Sequence, residues 1–215
     1  YPIALLIKDE SLKKRELQDC YLSPLNLLNV DTNQIVAFSL KYDAVKKVKA
    51  STQKEYLADL LPELAGLGTE TILVCDSHYF KTLTKQRKAE PHIGYVLPCA
   101  ITGYEYFQVI YAPNYQSLFY APENQAKLDL AMMTLADHLE DSYVAPGEDI
   151  IHSAQYPTKL HDIEVALNHL HTYPLLTCDI ETFSLKFHKA GIGTIAFAWD
   201  EHNGIAFRVD SLADD

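Results

Sequence analysis

Long apolar runs are missing from this sequence. No stretch approaches the roughly twenty apolar residues that a membrane-spanning helix requires, and the segment after Tyr1 has neither a basic leader nor a cleavage site. We therefore expect a soluble cytoplasmic protein with no membrane partner. Paired cysteine spacing is missing too, because the cysteines are scattered: Cys20, Cys75, Cys99 and Cys178. That scatter argues against a zinc site and predicts buried thiols instead of disulfides.

Basic residues are scarce. The sequence contains 18 lysines and arginines but 29 aspartates and glutamates, and the formal net charge is −11. Because affinity for the phosphate backbone comes largely from Lys and Arg, this balance argues against a generic DNA-coating domain. It leaves a nuclease open, since bound metal ions supply positive charge where a phosphate docks. The most basic part of the chain is the cluster Lys41, Lys46, Lys47 and Lys49. This cluster predicts a solvated loop or helix end, with a phosphate-contacting patch as the alternative.

The first two thirds of the chain alternate helical and strand patterns. A helix is predicted from Ser51 to Leu67, with Pro62 bending or dividing it, and Thr71–Cys75 has the continuous apolar character of a strand buried on both faces. A helix followed by such a strand indicates a parallel α/β layer. Further along, an aromatic strand is predicted over Tyr104–Tyr111 and an amphipathic helix over Lys127–Leu139.

A domain boundary is predicted where the composition changes. Between residues 140 and 157 the chain becomes rich in Ser, Pro, Gly and acids. We therefore expect an α/β domain over residues 1–145, a linker over 146–157, and a second domain over 158–215. The second domain is predicted to contain one helix and a three-stranded sheet.

The most informative stretch is an apolar run, Leu175 to Leu185, that contains two acids. Its residues predict a strand, in which Asp179 and Glu181 project to the same side about 6.5–7 Å apart. Two carboxylates in that arrangement can bind one divalent cation. The same tripeptide recurs at Asp162-Ile163-Glu164, but helical spacing of the surrounding apolar residues turns those two acids apart and predicts a solvated helix face.

Two further strands are predicted behind this one. Ile192–Asp200 and Ile205–Val209 flank the Asn203-Gly204 pair, which suits a two-residue hairpin loop. The acid pair therefore belongs, by prediction, to a strand with a hairpin behind it.

These residues, DIETFSL followed by IGTIAFAWDEHNGIAFRVD, resemble the start of the DEDD-type 3′–5′ exonuclease domain, which has an RNase H-like fold. More narrowly, they are similar to the proofreading domain of family A DNA polymerases from bacteria and bacteriophages. The resemblance implies that Asp179 and Glu181 are catalytic ligands of two Mg²⁺ or Mn²⁺ ions. It also implies that Thr182 and Phe183 lie beside the terminal nucleotide of a single-stranded 3′ end.

The resemblance covers only about the last forty residues. The family supplies more acids from later motifs that do not follow here, and Asp210, Asp214 and Asp215 do not replace them. We therefore expect the chain to be the amino-terminal part of a longer polymerase and to be inactive as an exonuclease by itself. Its expected partners are DNA, the remainder of the polymerase and replication proteins, in the cytoplasm of a bacterial or phage-infected cell.

A second resemblance covers the first domain. The segments ILVCDSHYFKTL and VIYAPNYQSLFYAPENQAKLDLAMMTLADHL are similar to the order of elements in the uracil-DNA glycosylase superfamily. The catalytic parts of that pattern are missing, because Ala112-Pro113-Asn114 stands where the family has a His-bearing loop. The resemblance therefore implies a degenerate glycosylase-like domain, and His78 is expected to be structural. The aromatic residues of the nearby loop, Tyr111, Tyr115, Phe119 and Tyr120, are expected to pack against the next helix, with base stacking as the alternative.

Two other functions stay open. The chain could be a non-catalytic binding or scaffold module of a phage replication protein, with a merely solvated acid pair. It could also be an active uracil-DNA glycosylase, which would release bases without a metal.

Overall fold

The computed structural model describes residues 1–44, 47–148, 150–184, 186 and 191–212. The chain forms two compact units, Tyr1–Ala145 and Pro146–Asp215. Each unit combines α-helical structure with a sheet that contains parallel strands, so the predicted α/β class is confirmed. Within the described residues, none of the helices is both long and apolar enough to cross a membrane.

The first unit is built on a five-stranded sheet. Its strands are β1 (Ile3–Lys8), β2 (Ile35–Leu40), β3 (Thr71–Val74), β4 (Val96–Pro98) and β5 (Gln108–Tyr111). They are arranged in the order β2-β1-β3-β5-β4, with the first four parallel and β4 antiparallel to β5. The carboxyl ends of β1, β3 and β5 consequently lie side by side at one edge of the sheet.

Helices cover both faces of this sheet. They are α1 (Lys14–Leu17), α2 (Ser23–Leu27), α3 (Ala50–Gly66), α4 (Ser77–Thr84) and α5 (Asn124–Leu139), and a π-helical turn, Gln18–Leu22, joins the first two. Along β1, Leu5 and Ile7 face a cluster formed with α2 and α5, whereas Ala4 and Leu6 face a cluster formed with α3 and α4. Burial on both sides explains why β1 is apolar from Ile3 to Ile7 and β3 from Ile72 to Val74.

Two predicted elements of the first unit differ in the structure. The strand predicted over Tyr104–Tyr111 is limited to β5, because Phe107 N donates to Tyr104 O at 3.1 Å in a turn before the strand begins. Pro62 was expected to bend or divide its helix, yet α3 is assigned without interruption from Ala50 to Gly66. Pro62 lies on the exposed side, where water can satisfy the carbonyl that loses its N–H partner.

The second unit is a four-stranded sheet with one helix. Its elements are β6 (Ser153–Gln155), α6 (Leu160–Leu170), β7 (Thr177–Thr182), β8 (Ile192–Ala198) and β9 (Asn203–Arg208). The strand order is β6-β9-β8-β7, and only the β6–β9 pair is parallel. The sequence predicted three strands here and a linker over 146–157. The added strand lies inside that segment and is too short and polar to show a strand pattern.

Tyr21 provides a test of the first unit's packing. Its buried hydroxyl donates to Pro113 O at 3.0 Å and accepts from Tyr115 N at 2.9 Å. Tyr21→Phe would leave both backbone groups unpaired, so we expect it to lower the free energy of unfolding by about 1–3 kcal/mol. Urea unfolding followed by far-UV circular dichroism measures this loss. The matched variant Tyr120→Phe changes a ring that is 91% exposed and should leave the midpoint unchanged; equal midpoints for all three proteins would contradict the expectation.

Candidate metal-binding site

One face of the sheet in the second unit is covered by a helix, so side chains on alternate strand positions are either buried against that helix or exposed on the other face. Helix α6 packs on the face that carries Ile195, Phe197, Ile205 and Phe207, and its Ile163 is completely buried there. In the β7–β8 ladder, Cys178 pairs with Phe197 and Ile180 pairs with Ile195. Alternation therefore directs these residues of β7 toward the helix side and their neighbours toward the opposite, open face.

Asp179 and Glu181 lie on that open face. Both are in β7, which lies at the edge of the described sheet and pairs there with β8 alone, and they stand opposite Ala196 and Thr194. Both are exposed, and neither carboxylate forms a salt bridge or hydrogen bond with another described residue. The structure thus contains the strand predicted for them and leaves both carboxylates accessible.

The carboxylates of Asp179 and Glu181 are the kind of ligand that a hard divalent cation prefers, but they are too few to complete its coordination. Carboxylate oxygens are preferred ligands of Mg²⁺ and Mn²⁺, which take about six ligands. Across the part of the chain that the structure describes, no group of three or more His, Cys, Asp or Glu residues is positioned to hold a metal ion. Asp179 and Glu181 could hold one cation between them, and a two-metal site would need further acids.

A shallow pocket of about 280 Å³ lies beside Asp179 on the open face. Small residues form its floor: Ala196, Ala198, Gly204 and Ala206. A Cβ atom at Gly204 would stand 3.0 Å from Phe197 O, so a larger residue there would strain the β8–β9 pair. The pocket floor can therefore admit close approach by a ligand or another chain.

Thr182 is the last residue of β7, and Phe183 follows it directly. The ladder shifts register between Glu181 and Thr182, and Phe183 N donates to Gly191 O at 3.0 Å. The Phe183 ring lies against Gly191 and Gly193, where an added Cβ atom would meet it at 3.4 and 3.2 Å, and the residue is 76% exposed. The structure brings Phe183 near Glu181 along the strand, while the predicted nucleotide contact stays a prediction.

The second acid pair behaves as predicted. Asp162 and Glu164 lie in α6, whose buried residues are Ile163 and Leu170, and both acids are exposed. The same tripeptide thus has two geometries, and the surrounding apolar spacing correctly distinguished them.

The Asn203-Gly204 pair does not form the hairpin loop, so that prediction was wrong. Both residues belong to β9, and the turn lies earlier, where Trp199 N donates to Asn203 O at 3.3 Å. Asp200 organises the turn by accepting from His202 N at 2.8 Å and from Asn203 Nδ2 at 2.9 Å. These donors hold the pKa of Asp200 below its usual value. A side-chain-bonded Asx turn therefore replaced the two-residue loop.

A pair of histidines near the turn was missed by the sequence analysis. The rings of His152 and His202 stack 4.2 Å apart, and His202 Nδ1 donates to Ile150 O at 2.9 Å. His152 N also donates to His202 O at 2.8 Å, which aligns β6 with β9. The two residues are fifty positions apart, and His152 lies in a stretch predicted to be a linker, so no local pattern signals the contact.

The first unit has its own pocket, of about 450 Å³, at the carboxyl edge of its sheet. His78 and Asn114 line it, as do Asp76 and Cys75. Asp76 caps α4 by accepting from His78 N and Tyr79 N, and Asn114 donates to Ser11 Oγ at 3.0 Å. Burial raises the pKa of Cys75 to about 12, so its thiol is protonated at neutral pH. Much of the polar lining is therefore already engaged in holding the fold.

The aromatic loop beside this pocket differs partly from expectation. Tyr115 is buried and meets Phe119 edge-on, with ring centroids 6.3 Å apart. Phe119 is nevertheless 74% exposed and Tyr120 is 91% exposed, so packing against the next helix does not account for these two residues.

No protein-family model matches the chain, and no curated protein sequence is significantly similar to it.

Asp200 provides a pH test of the second unit. Because its folded pKa is depressed, its charge stabilises the fold above the unfolded pKa of about 3.9, and this contribution is lost as pH falls through the folded value. We expect Asp200→Asn to lower the urea midpoint at pH 7 and to narrow its difference from the wild type at pH 3. Fluorescence of Trp199, the only tryptophan, reports this unit. Glu201→Gln is the matched control, and an equal midpoint shift in both variants at pH 7 would oppose the role of Asp200.

Proposed function

We propose that the second unit contains the first metal-binding motif of a DEDD-type 3′–5′ proofreading exonuclease, in the amino-terminal part of a family A DNA polymerase. The proposal starts from the resemblance of DIETFSL and the strands after it. The observation that supports it most directly is the position of Asp179 and Glu181, exposed on one face of an edge strand. A parallel-sheet domain of degenerate glycosylase-like type precedes this unit in the proposal.

The chemistry assigned to the residues follows from their oxygen atoms. Bound divalent ions would supply an activated water and charge stabilisation for the leaving 3′-oxygen. Asp179 and Glu181 would hold such ions at the strand edge, while Thr182 and Phe183 would contact the terminal nucleotide. Among the described strands β7 is hydrogen-bonded to β8 on one side, and in this proposal a 3′ end of single-stranded DNA approaches the carboxylates from the other side.

Two carboxylates do not complete such a site. Within the described residues no third ligand joins Asp179 and Glu181, so the chain alone should bind a cation weakly and should not degrade DNA. Further acids, from the remainder of the polymerase in this proposal, would complete the two-metal arrangement.

A second candidate is a non-catalytic docking module. The small-residue floor beside Asp179 and the lack of a third ligand among described residues both favour it. In that case the open face would contact another replication protein, and the two carboxylates would lie at the rim of the contact.

Cation binding separates the two candidates. We expect Mn²⁺ to broaden the backbone amide signals of residues 178–182 and 194–196 in NMR spectra, because paramagnetic relaxation acts near the bound ion. The double variant Asp179→Ala with Glu181→Ala should abolish this local broadening. Asp162→Ala with Glu164→Ala removes the same tripeptide's charges from α6 and should leave the broadening intact. Broadening that is absent in the wild type, or unchanged in the first variant, would favour the docking module.

An exonuclease assay tests separately whether the metal site of this chain is too incomplete for catalysis. With Mg²⁺ and 3′-labelled single-stranded DNA, we expect no nucleotide release by the 215-residue chain above a buffer control. Robust release that disappears in Asp179→Ala would show that the described ligands suffice and would refute the need for further acids.

A further inference from the structure

The positive charge of this acidic protein is concentrated in two segments of the first unit. Residues 41–54 and 76–88 contain nine of the 18 lysines and arginines but only two of the 29 acids. The remaining residues contain nine basic residues and 27 acids. Although the net charge is −11, basic residues are therefore concentrated in these two segments and acidic residues in the rest of the chain.

Tertiary contacts bring these two segments together. The Thr82 hydroxyl of α4 donates to Gln53 Oε1 of α3, and the Tyr79 hydroxyl donates to the carbonyl oxygen of Lys41. The Tyr79 ring also meets those of Tyr42 and Tyr56, with centroids 6.3 and 5.9 Å apart. The start of α3, the described residues of the loop before it (41–44 and 47–49) and helix α4 are consequently held together by these contacts.

Basic residues flank these contacts along the chain. Lys49 precedes Gln53 by one helical turn, and its carbonyl accepts from Gln53 N at 3.1 Å; Lys85 follows Thr82 by three residues. We call the whole set the basic face, and its described members are Lys41, Lys47, Lys49, Lys54, Lys81, Lys85, Arg87 and Lys88. All of them are exposed except Lys81, which is half-buried.

The two acids within these segments, Asp43 and Asp76, form hydrogen bonds instead of ion pairs with the described lysines and arginines. Asp43 accepts from Lys49 N at 2.7 Å and from the Thr52 hydroxyl at 2.6 Å, and these bonds hold its pKa below the usual value. Asp76 is engaged in capping α4 and accepts from the Tyr42 hydroxyl. Among the residues that the structure describes, none forms a salt bridge with a member of the basic face.

We propose that the basic face binds the phosphate backbone of duplex nucleic acid without sequence preference. Lysine ammonium groups act as point charges toward phosphates, and such contacts supply essentially all of non-specific binding. The described parts of both segments contain no large exposed apolar side chain. They therefore offer neither the aromatic anchors of a protein interface nor the wedge of a membrane-surface helix. Among the described residues of both segments no Phe, Tyr or Trp ring is exposed for single-stranded bases to stack on, which favours a duplex.

Salt dependence measures the proposed contacts. Fluorescence anisotropy of the 215-residue chain with a labelled 20-base-pair duplex, in EDTA, excludes any contribution from a cation at Asp179 and Glu181. If about five phosphates are contacted, the logarithm of the binding constant should fall against the logarithm of salt concentration with a slope of about −4 to −5. A second duplex of different sequence should bind equally, and the corresponding single strand should bind more weakly.

Two variants of equal charge change locate the site. The first replaces four members of the basic face by glutamine: Lys49, Lys54, Lys85 and Arg87. The second does the same at four exposed positions elsewhere: Lys13, Lys14, Arg15 and Lys159. We expect the first variant to lose at least tenfold in affinity at low salt and about three to four units of slope, because each lost phosphate contact removes about one. The second variant should keep the wild-type slope.

Several results would overturn the proposal. They are wild-type protein without salt-dependent duplex binding, equal losses in the two variants, single-strand binding that exceeds duplex binding, and binding to vesicles of anionic phospholipid without binding to the duplex. Unchanged circular dichroism and urea midpoints in both variants would show that the losses do not come from unfolding. Since EDTA is present throughout, failure here leaves the proposed metal motif of the second unit untouched, and failure of that motif leaves the duplex measurement unaffected.

Discussion

Successive side chains of a pleated strand point to opposite faces, and covering one face of a sheet fixes which residues stay exposed. In the second unit, helix α6 covers the face that carries Ile195 and Phe207. Asp179 and Glu181 are left on the other face because each lies one position away from a helix-facing residue. A shift of one residue in the β7 register would turn both acids toward the apolar core. The proposed metal motif therefore depends on the packing of α6 as much as on the acids themselves.

The first unit follows the same rule with both faces covered. Its central strands have no exposed face, so its accessible chemistry is confined to the carboxyl edge of the sheet and to the helix surfaces. Polar residues at that edge already form hydrogen bonds that stabilise the fold. Asp76 caps α4, and the Asn114 side chain donates to the Ser11 hydroxyl oxygen. The pocket there therefore offers less unused hydrogen-bonding capacity than its lining residues suggest.

The local charge of this protein differs from its net charge. A net charge of −11 predicts weak interaction with nucleic acid, yet half of the basic residues fall in two segments that α3 and α4 bring together. Screening limits electrostatic interactions in water to about 10 Å at 0.1 M salt, so a phosphate responds mainly to the charges nearest to it. A local basic face and an acidic remainder can therefore coexist, and the acidic remainder would disfavour binding in any other orientation.

The sequence by itself determined the α/β class, the strand around Asp179 and Glu181, and the helix around Asp162 and Glu164, because period and apolar content are local properties. It did not determine the turn at Asp200, since a side-chain hydrogen bond competed successfully with the Asn-Gly signal. Strand β6, the stacked histidines and the joining of the two basic segments were decided only by the tertiary structure. Each depends on groups that are far apart in the chain, and no local pattern encodes which distant partner they meet.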